Sequence, residues 1–520
     1  MDVPRGGGSL TPGNGGPGNG GPGTSAPEGA GLVRRLGLWG LAATGICSML
    51  GAGINVVPVM IQRNVPGIGE NVLPAFAFGA LPAVLAALAY AVLASAMPRA
   101  GGSYVYASRA LGPYWGFVAS FSQWFGLSIV IGVVSYLVIP FLRDIVDALG
   151  LGGAAAALET DYLRVGLPLA LLWTFVWVNL RGLRAYERTV VPLMIVMFAL
   201  GAIVIVAGFA FDHDDFAAAL LAREGVGVPS VTPPPLGPAG FLAATGLLFA
   251  SFVGFDAIAQ AGGEARDPGR SLPLAICLAV LIVGAYYLLF TAAVYHTVPW
   301  EFVWDRAQGQ DLTAPGLLGY VLPPGWTIAI VAGAAIALIN DLPAMLLSVS
   351  RLVFAWAEDR IFPSRLARVH PRRHTPTAAI LLSATLASLA ILGSRFAGDF
   401  FLGIDIMVTS MLVNFILMCV SVLVLPRRNP GIAANFRVLS GPTDRTWACL
   451  AGVVLLGTFL ATHIWKDLTA DVSAWYFRST PIWIGVMTVA SLIYVRNMRR
   501  LRASGVDVER LFRELPPDHA

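Results

Sequence analysis

Charged residues are scarce in this sequence. Asp, Glu, Lys and Arg make up only 12% of the 520 residues, whereas 56% are hydrophobic. Soluble domains carry roughly 25% charged residues. A chain of this length with so little polar surface would not stay dispersed in water, so a soluble globular fold is excluded. Lysine is nearly absent, and Lys466 is the only one.

Cysteine and histidine are also rare, and neither is clustered. The six histidines lie mainly in loops and tails, without the spacing of metal ligands. We therefore predict no metal site, no cofactor and no catalytic residues. The net charge of +4 is spread over short loops and predicts no nucleic-acid surface. The cysteines lie in or beside apolar segments, so we expect no structural disulfide and no disulfide-linked subunit. They are Cys47, Cys277, Cys419 and Cys449.

The sequence is rich in apolar blocks of about twenty residues. A helix of that length crosses the hydrocarbon core of a bilayer, which is about 30 Å thick. The blocks predict an all-α polytopic membrane protein with twelve spans. Spans 1 to 6 lie near 36–61, 72–97, 114–142, 164–180, 189–211 and 239–263. Spans 7 to 12 lie near 272–296, 325–350, 376–394, 399–425, 446–464 and 480–496.

The basic residues predict the orientation of these spans. With a cytoplasmic N-terminus, most of the 34 Lys and Arg residues fall in cytoplasmic loops and tails, as the positive-inside rule requires. Both termini are therefore predicted to be cytoplasmic.

Residues 1–31 are rich in Gly and Pro and predict a disordered tail, and 498–520 form the second tail. Segment 298–316 predicts an amphipathic external helix.

Two of the spans contain closely spaced glycines. Span 1 carries Gly51-Ala52-Gly53, and span 6 is interrupted by several glycines, including Gly254. Glycine weakens a helix by up to about 1 kcal/mol, so both helices are expected to unwind there. Unwound backbone at membrane depth is tolerated only where it lines a cavity or is buried in protein. The free N–H groups of a half-helix suit a carboxylate, and free carbonyls suit an ammonium group or a cation.

The two interrupted spans occupy matching places in two halves of five spans each. Matched breaks of this kind are typical of a transporter whose site lies at the membrane midplane. An odd number of spans per half inverts one half relative to the other. The sequence thus predicts two inverted repeats, 32–211 and 238–426, followed by two further helices in 445–497.

Four separated motifs resemble the amino acid–polyamine–organocation (APC) family of transporters, and so an amino acid permease. They occur in the order typical of that family, and the resemblance covers about 35–430. It implies a LeuT-like 5+5 inverted repeat with broken helices 1 and 6. The motifs are GAGI at 51–54, MPRAGGSYVYASRALGPYWGF at 97–117, GFDAIAQAGGEARDPGRSLPLAI at 254–276 and SRLVFAWAEDRIFPSRLARVHPRRHTPTAAI at 350–380.

The resemblance also implies a site for an α-amino acid. The substrate carboxylate would rest on the backbone of Ala52, Gly53 and Ile54. Its amine would meet carbonyls near Met49, Ala250 and Val253, with Ser251 as a nearby polar contact. On helix 3, Gln123, Leu127 and Val130 lie at helical spacing. Because that helix offers no carboxylate to a cationic side chain, we expect neutral or apolar amino acids.

Four polar residues within the spans are candidates for ion coupling or gating, because ionisable groups inside a membrane are costly. They are Asp256, Asn340, Asp341 and Asp405. The coupling ion is left open between a proton and sodium, and exchange is a further option. Some proton-coupled relatives carry a lysine in helix 5, whereas the matching residue here is Met197.

Charged residues near the cytoplasmic ends of the spans are assigned structural parts. Glu264, beside Arg266, is expected to form a gate ion pair or a helix anchor. Arg99, Arg109 and the cluster between Arg351 and Arg373 are expected to be topology anchors.

The sequence thus predicts a secondary active transporter of the cell membrane that moves amino acids by alternating access. The alternative is an amine or polyamine exchanger of the same fold. A membrane-embedded enzyme or a channel is a remote alternative. An enzyme would need a cluster of catalytic residues, which the sequence does not show, and a channel would lack the pair of broken helices.

Overall fold

The computed structural model describes residues 32–310, 312–397, 401–470 and 477–517. In this part of the chain nearly every regular element is helical. Its only strand-like pairings are two isolated bridges, Leu36 with Ala265 and Ala100 with Ala261. The all-α prediction is confirmed. The tail predicted to be disordered, 1–31, lies outside the described residues.

The helices of the first half run from the first span to the connection that precedes the sixth. They are α1 (Leu38–Met49), α2 (Ala52–Asn64), α3 (Val72–Ala96), α4 (Gly102–Ala110), α5 (Pro113–Ala148), α6 (Gly152–Leu158), α7 (Asp161–Arg181), α8 (Leu183–Ala210) and α9 (His213–Glu224).

The helices of the second half begin with the interrupted sixth span. They are α10 (Pro238–Phe249), α11 (Asp256–Gln260), α12 (Pro268–Thr297), α13 (Trp300–Gly309), α14 (Ala314–Leu318), α15 (Pro324–Glu358), α16 (Thr377–Ala397), α17 (Phe401–Arg428), α18 (Pro430–Ala433), α19 (Pro442–Thr469), α20 (Ser479–Ala503) and α21 (Val508–Leu511).

Eleven helical stretches in the described residues are long and apolar enough to cross a bilayer. They match the predicted spans except the sixth, near 239–263. There the continuous apolar segment, Pro238–Phe252, is shorter than eighteen residues. At 1.5 Å per residue it is about 22 Å long, which is less than the hydrocarbon thickness. The protein is a multi-pass membrane protein, and the count of twelve and the inverted repeat remain predictions.

The bundle has a buried centre and a more exposed periphery. Helix α5 packs along α15, α16 and α17, and α12 packs against α1, α3 and α8. In the most apolar stretch of α15, 83% of the residues are buried, against 22% in α19. Small residues such as Gly333, Ala334 and Ala337 let α15 approach its neighbours closely. The centre of the bundle therefore lies around α5 and α15, beside the broken spans.

The amphipathic helix predicted in 298–316 is present as α13. It packs against α2 and buries Phe302, Val303 and Ala307. A short helix of this kind, attached to the second half of the first span, ties the broken helix to the connection after α12.

Candidate functional site

The first span is interrupted at Leu50 and Gly51. Helix α1 ends at Met49, and α2 begins at Ala52. Gly51 has φ −106° and ψ −139°, far from helical values, and its N–H donates to the Met49 carbonyl at 3.0 Å. The carbonyl end of one half-helix therefore meets the N–H end of the next at the predicted glycines, and α2 presents its first amides toward the centre of the bundle.

The sixth span is interrupted over a longer stretch. After α10 the chain forms a 3₁₀ turn at Ala250–Phe252, becomes extended at Val253 and turns sharply at Gly254 before α11. Gly254 has φ +135°, a conformation that residues with a side chain rarely adopt. A Cβ atom there would also collide with the Ser48 carbonyl. Glycine is thus required, and the two breaks touch at this point.

A cavity opens beside the two breaks and contains about 610 Å³ of space not filled by protein atoms, part of it continuous with solvent. Most of the side chains that line it are apolar, and Ser48, Ser251 and Asp341 are the polar ones. Its lining is formed by Ser48, Met49, Gly51, Gly53, Val56, Val57, Val130, Val133, Val134, Leu137, Ala250, Ser251, Val253, Asp341, Met345, Ile404 and Met407.

Five of the substrate contacts predicted on the two broken spans line this cavity, and others do not. Met49, Gly53, Ala250, Ser251 and Val253 lie in its wall. Ile54 is buried on the opposite side of α2, in a smaller cavity that Met197 of α8 also lines. Ala52 is the first residue of α2, so its backbone N–H belongs to the first turn of that half-helix.

Gln123 and Leu127 do not line the cavity. Leu127 is packed in the core, and the Gln123 amide donates to Asp256. The part of α5 that faces the cavity lies further along the helix, from Val130 to Leu137. Of these residues, only Val130 was predicted from the sequence. Val133, Val134 and Leu137 follow it at i+3, i+4 and i+7, a helical spacing that could have indicated them.

Asp256 belongs to a fully buried polar network. One of its oxygens accepts from the Gln123 amide, and the other accepts from the Gly254 N–H at 3.1 Å. Gln260 donates to the Gln123 side-chain oxygen at 3.3 Å and to the Ser103 hydroxyl at 2.7 Å. All these side chains are inaccessible to solvent. The carboxylate therefore fixes the turn of the sixth span to α5.

The same network continues to two residues that sequence analysis did not single out. The Ser103 hydroxyl lies 2.6 Å from the Tyr90 hydroxyl, and the Asn414 amide donates to Tyr90 at 2.7 Å. The network thereby joins α3, α4, α5, α11 and α17. The sequence around Tyr90 and Asn414 is apolar and does not indicate a polar network, because the partners of these residues are far away in sequence.

Asp341 and Asn340 are neighbours on α15 but face different surroundings. Asn340 donates to the Cys47 sulfur at 3.0 Å and to the Val190 carbonyl at 3.3 Å. Asp341 lines the cavity, and one of its oxygens lies against Gly51. Its other carboxylate oxygen, Oδ1, is buried and has no hydrogen-bond partner among the described residues. Of the coupling candidates, only Asp341 presents a charge to the cavity at the breaks.

Asp405 lies in a second cavity, away from the breaks. That cavity contains about 840 Å³ of space and is lined by His463, Lys466 and Asp467 as well. The Asp405 carbonyl oxygen lies 3.2 Å from the His463 ring Nε2. Its neighbours Ile404 and Met407, rather than Asp405, reach the cavity between the broken spans.

The end of the bundle that is predicted to face the cytoplasm contains two buried ion pairs, whose partners the sequence did not indicate. Glu264 pairs with Arg351 at 2.6 Å rather than with its neighbour Arg266. Arg109 pairs with Asp359. Both arginines are 1% exposed, so they are interior residues held by ion pairs. The sequence could not show this, because partners about ninety and 250 residues apart meet only in the fold.

Two helices are broken at points that touch, and a cavity lies beside the breaks. This arrangement defines a membrane transporter of solutes rather than an enzyme. A family model described as amino acid permease matches residues 36–489. The chain belongs to this family of transporters, and the expected family resemblance is confirmed.

Several curated relatives cover most of this chain. An uncharacterized transporter of Mycobacterium tuberculosis is 32% identical over 364 residues, which is 69% of this chain and 74% of the relative. The branched-chain amino acid permease BcaP of Bacillus subtilis is 25% identical over 84% of this chain and 91% of its own length. The low-affinity putrescine importer PlaP of Escherichia coli is 26% identical over 68% and 71%. The relatives named for a substrate thus include an amino acid permease and an amine importer.

Proposed function

We propose that this protein is a secondary active transporter that moves neutral, apolar α-amino acids across the cell membrane. The observation that carries the proposal is the lining of the cavity at the two breaks. Its wall consists mainly of Val, Leu, Ile and Met side chains, including Val130, Val134 and Met407. Such a wall favours an aliphatic side chain, because burial of apolar surface is favourable. BcaP, a relative named for branched-chain amino acids, supports the same substrate class.

The first turn of α2 supports recognition of the substrate carboxylate. Its amides have no partner within their own helix, and the helix dipole places partial positive charge there. Gly53 lies in this turn and in the wall of the cavity. A carboxylate held by these amides would leave the apolar side chain of the amino acid against α5 and α17.

Alternating access is supported by the way the helices pack. The first span, α3, α10 and α12 pack against one another, and α5, α7, α15 and α16 form a second group with its own contacts. The cavity lies between the two groups. Rocking of one group against the other would expose the cavity to each side of the membrane in turn. The distribution of Lys and Arg along the sequence supports a cytoplasmic location of both termini.

The test is uptake into proteoliposomes with a panel of radiolabelled substrates. We expect leucine, isoleucine and valine to accumulate in preference to lysine, glutamate and putrescine. Imposed proton and sodium gradients, applied separately, identify the coupling ion, and a requirement for internal amino acid identifies exchange. Preferential uptake of lysine or glutamate would contradict the proposed substrate class.

A second candidate function is transport of amines without carboxylate recognition. It is favoured by one observation, the Asp341 carboxylate in the cavity wall. The relative PlaP, named as a putrescine importer, is consistent with it. Leucine methyl ester separates the two functions. The ester competes with leucine only if the carboxylate is not recognised.

A further inference from the structure

We propose that the Asp341 carboxylate is the counter-charge for the ammonium group of the transported substrate. The inference rests on the proposed function in one respect, that the cavity at the two breaks is the substrate site. It adds the chemical requirement that a substrate must carry a protonated amine.

The first step is the position of Asp341. Its side chain comes from the middle of α15, lies in the cavity wall, and is 3% exposed. A Cβ atom added at Gly51, at the break of the first span, would collide with Oδ2. The carboxylate is thus aimed at the place where the two half-helices separate.

The second step is the absence of a partner within the described residues. Oδ1 of Asp341 is buried without a hydrogen bond, and no ion pair to Asp341 is found in this part of the chain. Other buried acids are satisfied. Glu264 and Asp359 each pair with an arginine, and Asp256 accepts two hydrogen bonds. A buried carboxylate without a partner is costly, so an occupant of the cavity that brings positive charge would be stabilised.

Two of the three backbone carbonyls expected to accept from the amine, those of Met49 and Ala250, already accept hydrogen bonds. The Met49 carbonyl already accepts from the Tyr287 hydroxyl. The Ala250 carbonyl accepts from the Val253 N–H at 3.2 Å. The Met49 carbonyl also accepts from the Gly51 N–H at 3.0 Å, so both of its lone pairs are used, whereas the Ala250 carbonyl keeps its second lone pair. Asp341 offers an unused acceptor that carries a full negative charge when it is ionised, and charge-assisted hydrogen bonds are about twice as strong as neutral ones.

Two kinds of cation could bind the Asp341 carboxylate, namely a substrate ammonium group and a small inorganic ion. The apolar wall around Asp341 favours the ammonium group of an aliphatic compound. An inorganic ion of the sodium type takes several oxygen ligands, and the only other polar side chains of the cavity are Ser48 and Ser251. The experiment below distinguishes these sources.

The test uses the purified full-length protein and three probes with similar aliphatic tails, namely leucine, 3-methylbutylamine and 4-methylpentanoate. Binding is measured as thermal stabilisation at fixed pH, because a ligand that binds the folded state raises the melting temperature. The wild-type protein should bind leucine and the amine, but not the carboxylate-only probe. Asp341→Asn should weaken binding of leucine and the amine by roughly 30-fold or more.

Two further variants control the experiment. Asp341→Glu keeps the charge and should retain part of the affinity for the amine. Ser348→Ala changes another buried polar residue of α15 that does not line the cavity, and should bind both ligands as the wild type does. Monodispersity in detergent establishes that each variant is folded.

Unchanged affinity of Asp341→Asn for leucine and for the amine would overturn the inference, as would failure of the wild-type protein to bind either. Unchanged affinity together with lost stimulation of uptake by sodium would assign Asp341 to the inorganic cation instead. Binding of the amine through Asp341 without any amino acid uptake would support the inference and reject the proposed function.

Discussion

Buried acidic side chains occur at two levels of this molecule, and they are satisfied in different ways. At the end of the bundle that is predicted to face the cytoplasm, Glu264 and Asp359 each face an arginine in a buried ion pair. Beside the cavity, Asp256 accepts hydrogen bonds only from an amide side chain and a backbone N–H. Asp341 has no ion pair among the described residues, and one of its oxygens has no hydrogen bond.

The difference separates structural acids from functional ones. The two ion pairs at that end are neutral overall and hold helices together without any ligand. The pair between Glu264, after the sixth span, and Arg351 of α15 joins the two groups of helices that alternating access would move. We propose that the acids at the centre, in contrast, change their charge or accept a cation during transport. A polar group of this kind inside a membrane is a functional site by default.

The largest expected effect concerns the two breaks, which lie beside the same cavity as Asp341. Gly53→Leu should reduce uptake to background while the protein still inserts, because a Cβ at this position already lies 3.1 Å from the Ser251 hydroxyl. Gly254→Ala should have a similar effect, because φ is +135° there and the Ser48 carbonyl occupies the space. The measurement is leucine uptake normalised to the amount of inserted protein.

Gly246→Ala is the matched control, because nothing lies within 4 Å of a Cβ at that position of α10. It should transport normally. Full uptake by Gly53→Leu would defeat the assignment of the site to the broken spans.

The next effect tests whether the ion pair of Glu264 and Arg351 is structural. Glu264→Gln leaves Arg351 charged and buried, and removal of one partner of a buried pair costs about 3–5 kcal/mol. We expect a strongly lowered melting temperature in detergent. The double variant Glu264→Gln with Arg351→Met should recover much of the loss, because no charge is then left unpaired. The exposed pair of Arg510 and Glu514 is the control, since Glu514→Gln should shift the melting temperature little.

If the single and double variants melted together at the wild-type temperature, the contrast between the two levels would fail. If the double variant melted normally but transported faster or in one direction only, the pair would be a gate rather than a structural lock.

Much of the fold could be predicted from composition and glycine placement, because these depend on local physics. Apolar blocks of the right length identified the spans, and Gly51 and Gly254 identified the breaks. Predicted helix ends were less accurate. Helix α5 extends to Ala148 and α20 to Ala503, beyond the predicted 142 and 496, because their last turns carry charged residues that lie outside an apolar block.

The partners of polar residues could not be predicted, because they depend on how helices pack. Neighbouring residues of a helix point about 100° apart, so the sequence could not show that Asp341 faces the cavity while Asn340 faces α1 and α8. The rotation of α5 was likewise undetermined. It turns Gln123 toward Asp256 and leaves Val130 and its neighbours to line the cavity.

A smaller effect concerns Asp256, the central acid that is satisfied by neutral donors. We predict that it takes up a proton during transport, so Asp256→Asn should flatten the pH dependence of leucine uptake while retaining measurable exchange. The measurement is the rate of uptake across a pH series at constant membrane potential. Asp444→Asn alters an exposed acid at the start of α19 and should keep the wild-type profile. An unchanged profile in Asp256→Asn would reject the role of Asp256 in proton handling.

The smallest effect extends the comparison to an acid outside the membrane-spanning segments. Glu224 accepts a hydrogen bond from the Tyr320 hydroxyl at 2.6 Å and pairs with Arg306. These contacts, the hydrogen bond first, lower the pKa of Glu224 below its ordinary value of 4.5. A carboxyl group whose pKa is lower in the folded state stabilises the protein above the ordinary pKa. This contribution is lost as the pH falls through the folded value.

Tyr320→Phe tests this linkage, because it removes the hydroxyl and keeps the ring that packs on Phe216 and Phe302. At neutral pH the variant should lose less than about 1 kcal/mol, the range of exposed ion pairs and single hydrogen bonds. Its melting temperature should approach that of the wild type as the pH falls below the ordinary pKa of Glu224. A difference that stayed constant through acidic pH would show that the hydroxyl acts independently of the charge on Glu224.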